Sequence, residues 1–336
     1  MEESAPNWEG ERHALLAQRI SDIGLAIRGT LLEKLVNQLY EELAAKGLDF
    51  RPPVYLSDQW GCPDGTPLIG VPFYLADARL SRIEEDYSSA VEGEQESMRY
   101  LRHEAGHAFN YAYRLYDRAD WRQLFGPYSR PYRERYRADP FSRAYVRHIL
   151  GWYAQKHPDE DFAETFAVWM GSPPEAWRQR YKGWKALEKL EYVHALVQEA
   201  ADKKPLVTRG RRISEASRLK TTLARYYAGR RKLYAEDFPD FYDADLRAIF
   251  NGGGPEGEPA AKMMRRHRAA LIASLVQWTG QRKYTVSMLI GKLILRCQEL
   301  KLTVPGDPVR LYFELASYLA AMVTNHLHTG RFKRSV

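Results

Sequence analysis

Residues 98–109 read MRYLRHEAGHAF and contain the pattern HExxH. Apolar residues recur there at helical spacing and would bury one face of a helix: Leu101, Ala105 and Ala108. Residues four apart in a helix lie on the same face, so His103 and His107 can meet one zinc ion at about 2.0–2.1 Å. Glu104 follows the first histidine directly and can take a proton from a zinc-bound water. The stretch therefore predicts a metal-binding helix.

A third ligand is expected from residues 157–167, which read HPDEDFAETFA. A catalytic zinc ion needs three protein ligands and one open position. Glu160 and Glu164 are again four residues apart, so one can bind zinc while the other accepts the spare ring N–H of a ligating histidine. Asp159 and Asp161 are interpreted instead as acids that the helix dipole favours in a first turn.

The two segments together resemble a known group of enzymes. HEAGH followed by HPDEDFAETFAVW is similar to the bacterial family described as putative zinc-binding metallopeptidases, and it resembles the gluzincin clan. The spacing also resembles the catalytic domain of anthrax lethal factor. The resemblance covers roughly residues 50–175 and implies a peptidase with one zinc ion. It further implies these roles: His103, His107 and Glu160 as ligands, Glu164 as the acid behind a ligand, and Tyr153 as the phenol that faces the oxyanion.

The sequence departs from two related patterns. Asn110 and Tyr113 stand where metzincins have a glycine and a third histidine, and E-x-x-x-E replaces the E-x-x-x-D of thermolysin-like enzymes. The second departure leaves the choice between Glu160 and Glu164 as ligand partly open. The oxyanion role assigned to Tyr153 also has rivals nearby: Tyr132, Tyr136, Tyr145 and His148.

The remaining pattern predicts an α+β fold, with a mostly helical zincin-like domain over residues 1–202 and a basic, all-helical domain over 205–336. The first domain is expected to hold a small, edge-exposed β-sheet within residues 51–76. Helices are expected in these segments: 8–47, 97–118, 141–156, 159–171 and 174–199.

Two features are interpreted as substrate-binding. The strand Leu68–Leu75, with Gly70 and Val71 at its centre, offers an edge to which a peptide can add as a further strand. The alternative is an ordinary edge that Pro72 protects from pairing. Arginines crowd the segment between the two metal-site helices, and Arg143 and Arg147 in particular suit acidic peptides. A solvated charged surface is the alternative to this second interpretation.

Charge and cysteine content limit the partners and the location. The chain has 50 Lys and Arg against 43 Asp and Glu, a formal net charge of +7, and the basic excess lies in the C-terminal part. This part admits a second hypothesis, a non-catalytic zincin-like regulator that binds nucleic acid or an acidic protein, but no nucleic-acid-binding motif supports it. Two distant cysteines, Cys62 and Cys297, and the lack of a signal or membrane-spanning segment predict a cytoplasmic protein.

Overall fold

The computed structural model describes these parts of the chain: residues 8–88, 91–133, 136–149, 151–234, 242–252, 254 and 256–329. The chain forms two compact units, one of residues 1–86 and 91–229 and one of residues 87–90 and 230–336. The N–H groups of Leu206 and Val207 both donate to the carbonyl of Ala112, so the segment after the predicted boundary lies on the first unit. The division at residues 203–205 stays a prediction.

The described residues are mostly helical and include one two-stranded sheet. The helices and strands are, in chain order, α1 (Trp8–Ala17), α2 (Leu31–Ala45), β1 (Val54–Ser57), β2 (Ile69–Pro72), α3 (Ala78–Ser88), α4 (Glu94–Ala112), α5 (Ala119–Phe125), α6 (Pro158–Met170), α7 (Pro174–Arg180), α8 (Ala186–Ala200), α9 (Leu223–Tyr234), α10 (Asp243–Ile249), α11 (Ala260–Arg266), α12 (Arg268–Thr279), α13 (Lys283–Glu299) and α14 (Pro308–Thr329). None of the described helices combines the length and apolar character that a membrane crossing requires.

The two short strands lie where the sequence predicts strands, and they pair in parallel with Val54 opposite Ile69. On its other side, β2 contacts the loop that precedes it. The N–H of Gly70 donates to the carbonyl of Gly61 at 2.8 Å, and the N–H of Gly61 donates back at 3.2 Å. The main chain of β2 is therefore already paired on both sides at Gly70.

Helices α4 and α6 pack against each other at the centre of the first unit. A Cβ atom added to Gly106 would lie 2.8 Å from Cα of Ala163, which shows how closely the two backbones approach. Every residue of α6 is buried, and phenylalanines of both helices fill the contact, with ring centroids 5.2 Å apart for Phe109 and Phe166. This contact carries both predicted metal-site segments into the core.

The prediction of a helix over residues 141–156 is wrong. The described part of this segment is irregular, and only Tyr153–Gln155 forms a 3-10 turn. Polar groups of neighbouring helices hold its backbone instead. Nζ of Lys189 donates to the carbonyl of Ala144, and the N–H of Ile149 donates to Oε2 of Glu164. Tertiary contacts of this kind override a helical apolar pattern because intrinsic propensity is worth under about 1 kcal/mol per residue.

The second unit has its own apolar core. Side chains from α10 to α14 form it, and the fully buried ones include Leu246, Met264, Leu289, Leu293 and Leu319. Cys297 is buried in this core, and its thiol is free. The helical pattern predicted for this part of the chain is confirmed for the residues that the structure describes.

Candidate metal centre

Three buried side chains of α4 and α6 bring ligand atoms together. Nε2 of His107 lies 3.1 Å from Nε2 of His103 and 3.1 Å from Oε2 of Glu160, and Nε2 of His103 lies 3.0 Å from the same oxygen. Ligand atoms around a tetrahedral zinc ion with bonds of about 2.0–2.1 Å lie roughly 3.3 Å apart. The two nitrogens and one oxygen thus fit a zinc ion in chemistry and spacing, and the group is compatible with a metal site.

Each histidine has a carboxylate behind it. Nδ1 of His103 donates to Oε1 of Glu164 at 2.8 Å, and Nδ1 of His107 lies 2.8 Å from Oδ2 of Asp159. A carboxylate at this distance favours a proton on Nδ1, which leaves the lone pair of Nε2 facing the other ligand atoms. The ring of His103 is therefore held by a hydrogen bond to Glu164, and the ring of His107 lies within ion-pair distance of Asp159, an acid of the same helix α6.

The interpretation of Asp159 as only a helix-dipole acid does not fit the structure. Its carboxylate is buried and accepts hydrogen bonds from Nδ2 of Asn110 and the hydroxyl of Tyr111, both on α4. The sequence contained an indication of this role. Two ligating histidines need two groups to orient them, and Glu164 accounts for one. Asp161 is also buried, 2.6 Å from Nζ of Lys189, so it holds α6 to α8.

The start of α6 is encoded locally. His157 is its N-cap, and Nδ1 of this side chain accepts the N–H of Asp159 at 3.1 Å. Pro158 occupies the first turn, where its missing N–H costs no hydrogen bond. The cap fixes the first turn of the helix, and this turn presents Asp159 and Glu160 to α4.

Glu104 lies beside the ligand group, and both line one cavity. Burial raises the pKa of its carboxyl above the usual range, although the neighbouring imidazoles of His103 and His107 act in the opposite direction. For Glu160, burial likewise favours the neutral form, but its contacts with the imidazoles of His103 and His107 outweigh this effect and hold the pKa of this carboxyl well below its usual range. The two glutamates therefore differ in proton affinity.

An open cavity of about 440 Å³ gives access to these groups. Tyr153 lines it, as do His103, Glu104, His107 and Glu160. The ring of Tyr153 lies 5.6 Å from the ring of His103, and its hydroxyl lies 3.3 Å from the hydroxyl of Tyr132. Tyr132 in turn donates to Oε1 of Glu160. The structure thus brings one predicted oxyanion donor and one of its rivals to the cavity.

The residues predicted to bind substrate lie elsewhere. Gly70 and Val71 are buried in β2 and do not line the cavity, and Gly61 occupies the side of Gly70 on which a peptide was expected. Arg143 and Arg147 do not line it either, although Arg130 of the same arginine-rich segment does. The contacts of β2 therefore argue against strand addition at these residues.

Sequence reasoning missed one wall of the cavity. Trp60, Gly61, Cys62 and Asp64 line it from the loop between β1 and β2. Burial raises the pKa of the Cys62 thiol well above its usual value, and the carboxylates of Glu104 and Asp159 add to this effect. The loop carries no metal-ligand spacing, so no signal in the sequence connected it with the histidines.

Comparison with known proteins relates part of the chain to a protein family. Residues 82–174 match a protein family described as "Putative zinc-binding metallo-peptidase". No curated protein and no solved structure matches the chain. The matched range contains α4 and α6, and with them the two histidines and Glu160. The part of the chain that forms the candidate metal centre is thus similar in sequence to a family with this description.

Proposed function

We propose that the protein is a zinc-dependent peptidase. The observation that carries this proposal is the meeting of His103, His107 and Glu160 with the carboxylate of Glu104 in one open cavity. A structural zinc site is closed and needs no base, whereas a catalytic site keeps one position open. The sequence match over residues 82–174 supports the same class of protein. Membership of the gluzincin clan, implied by the Glu-bearing second helix, is part of the proposal.

Each side chain of the site has a proposed role. His103, His107 and Glu160 would hold one zinc ion, with Glu164 and Asp159 keeping the imidazoles in the correct tautomer. Zinc bound there would lower the pKa of a water molecule to about 7 and polarise the substrate carbonyl. Glu104 takes the proton from the attacking water and passes it to the leaving amine.

Negative charge on the substrate carbonyl oxygen needs a hydrogen-bond donor. We assign this role to the Tyr153 hydroxyl. Nζ of Lys156, which is buried, lies 3.5 Å from this hydroxyl and 4.2 Å from the centre of the Tyr132 ring. The cation fixes the two phenols at the cavity wall. Because Tyr132 already donates to Glu160, Tyr153 is the better donor for substrate.

The proposed preference for acidic peptides involves fewer arginines than the sequence indicates. Arg130 lines the metal cavity, so a preference for acidic peptides depends on this residue rather than on Arg143 or Arg147. The cytoplasm remains the proposed location, in agreement with the free thiols of Cys62 and Cys297.

The alternative of a non-catalytic regulator has less support. Its basic clusters at Arg230–Lys232 and Arg331–Arg334 have no described side chains. Two clusters are described, at residues 209–212 and 265–268. In the second, Arg265 bonds Gln298 and Arg266 bonds Glu258, and in the first Arg212 bonds Glu215. Nucleic acid is not proposed as a partner, because no nucleic-acid-binding motif accompanies these clusters.

Metal removal tests the proposed function directly. The purified chain should contain one zinc ion and cleave members of a peptide library, and a chelator should reduce cleavage to background. Added zinc should restore it, because the ligand atoms are already in place in the folded chain. Cleavage that persists after the metal has been removed, or a zinc-loaded chain that cleaves no peptide, would contradict the proposal.

Replacement of Asp159 by Asn is expected to weaken zinc binding about 10- to 100-fold, the usual effect of losing a carboxylate behind a ligating histidine. The amide keeps the size of the side chain but loses the charge that holds Nδ1 of His107. Competition with a chromogenic chelator measures the affinity. Asp117→Asn, at an exposed aspartate paired with Arg114, is the matched control and should bind zinc like wild type. Equal affinities for the Asp159→Asn variant and wild type would rule out this role.

A further inference from the structure

A second cavity of about 640 Å³ lies in the first unit, away from the proposed metal ligands. Four arginines from three parts of the chain line it, together with His148 and a single carboxylate, that of Glu94: Arg99 and Arg102 of α4, Arg147 of the irregular segment, and Arg180 of α7. The carboxylate lies 4.0 Å from Nζ of Lys34 and is largely exposed. The charge of the cavity is therefore strongly positive.

The arginines differ in how far their hydrogen bonds are satisfied. Arg102 is paired with Glu42, with both nitrogen–oxygen distances below 2.8 Å. Arg147 donates to the carbonyl of Pro140 and lies over the ring of Trp184. Arg180 makes a long contact of 3.4 Å with the carbonyl of Arg147 and lies over the ring of Tyr181, so neither arginine is paired with a carboxylate in the part of the chain that the structure describes. The Arg99 guanidinium makes no hydrogen bond or ion pair with any residue that the structure describes. Free guanidinium donors in a cavity are suited to phosphate and carboxylate groups.

The wall that carries Arg147 is held in place. Nε2 of His148 donates to the carbonyl of Arg99 at 3.0 Å, and the N–H of Ile149 donates to Glu164 at 2.8 Å. The carbonyl of Ala144 accepts a bond from the buried Lys189. Donors that are fixed before binding lose less conformational entropy when a ligand arrives. Here the backbone that carries Arg147 and the side chain of Arg102 are already fixed.

We propose that this cavity is a binding site for a small polyanion, a molecule with two or more phosphoryl or carboxylate groups. The volume is in the range of small-molecule sites, and several guanidinium groups can contact several anionic groups at once. The proposal does not depend on the peptidase activity, because binding requires neither the metal nor hydrolysis.

Calorimetric titration of the full chain at about 50 mM salt tests the proposal, with pyrophosphate and citrate as the two probes. At least one probe should bind, and Arg99→Gln and Arg180→Gln should each weaken its binding about tenfold. Added salt should weaken binding further, since charge attraction is screened. Arg178→Gln is the matched control: Arg178 lies on α7 beside Arg180 but pairs with Glu191 outside the cavity. This variant should bind like wild type.

Three results would overturn the proposal. The first is no binding of either probe. The second is equal affinity of wild type and both cavity variants, which would place the bound anion at another basic cluster or at the metal. The third is binding of a hexaglutamate peptide without binding of either small anion, which would make the cavity a peptide site. Binding of pyrophosphate alone or of citrate alone supports the proposal and distinguishes phosphoryl from carboxylate ligands.

Discussion

The Glu104→Gln variant is expected to lose peptide hydrolysis by a factor of about 10²–10⁴ and to keep its zinc, because general-base catalysis contributes about this much to a rate. Glutamine has nearly the shape of glutamate but cannot take a proton from the attacking water. Glu104 is buried beside the two histidines and is not among the grouped ligand atoms, so its replacement leaves the proposed ligand set whole. The rate on a peptide substrate and the zinc content of the same sample are the two measurements.

A matched control comes from an exposed glutamate of α2. Glu41 lies outside the cavity, and Glu41→Gln should hydrolyse the substrate like wild type. If Glu104→Gln retained wild-type hydrolysis with zinc bound, the assignment of the base would be wrong. If it lost zinc as well as activity, Glu104 would act as a ligand.

Gly106→Ala is expected to lower the free energy of unfolding of the first unit by about 3 kcal/mol, at the upper end of the cost of overpacking a core. The added Cβ would lie 2.8 Å from Cα and 2.9 Å from the carbonyl oxygen of Ala163, and neither backbone atom can move aside cheaply. Zinc binding should weaken too, since the two helices that carry the ligands must separate. Thermal unfolding, with an expected decrease in Tm of about 6–12 °C, and zinc affinity are the measurements.

The helix α13 supplies the control for this substitution. Gly291 is also inside a helix, but a Cβ added there has no heavy atom within 3.4 Å and meets only Nη2 of Arg268 at 3.6 Å. Gly291→Ala should therefore stabilise the second unit by about 0.5–1 kcal/mol, the ordinary gain in helix propensity. An unchanged Tm for Gly106→Ala would contradict the close approach of α4 and α6.

Local chemistry made part of the site predictable. HExxH at helical spacing brings His103, Glu104 and His107 to one face, and this relation needs only the geometry of a single helix. The cap of α6 is equally local, because His157 and Pro158 act within the first turn. The acids of this turn were harder to interpret. Charge near a helix N-terminus is favourable anyway, so the need for a second orienting acid did not by itself single out Asp159 as the partner of His107.

Contacts between residues far apart in the chain could not be predicted, for a different reason. The loop with Cys62 lines the cavity, and the pairing of Gly61 with Gly70 is one of the contacts that hold it. The irregular segment 141–149 has a helical apolar pattern, but its backbone is held by Lys189 and Glu164, which lie in later helices. Such contacts depend on how helices pack, and they cannot be deduced from the residues of the segment alone.

The sequence by itself determined the helical character of most of the chain, the two histidines of one helix, and the acid-rich helix that follows. Periodicity and spacing along one helix are local properties, so they can be deduced from neighbouring residues. Only the tertiary structure decided which acid stands behind which histidine, which residues surround the cavity, and where the arginines gather. The first of these depends on the close approach of α4 and α6, which the missing side chain of Gly106 permits at Ala163. The other two depend on contacts between segments that lie far apart in the chain.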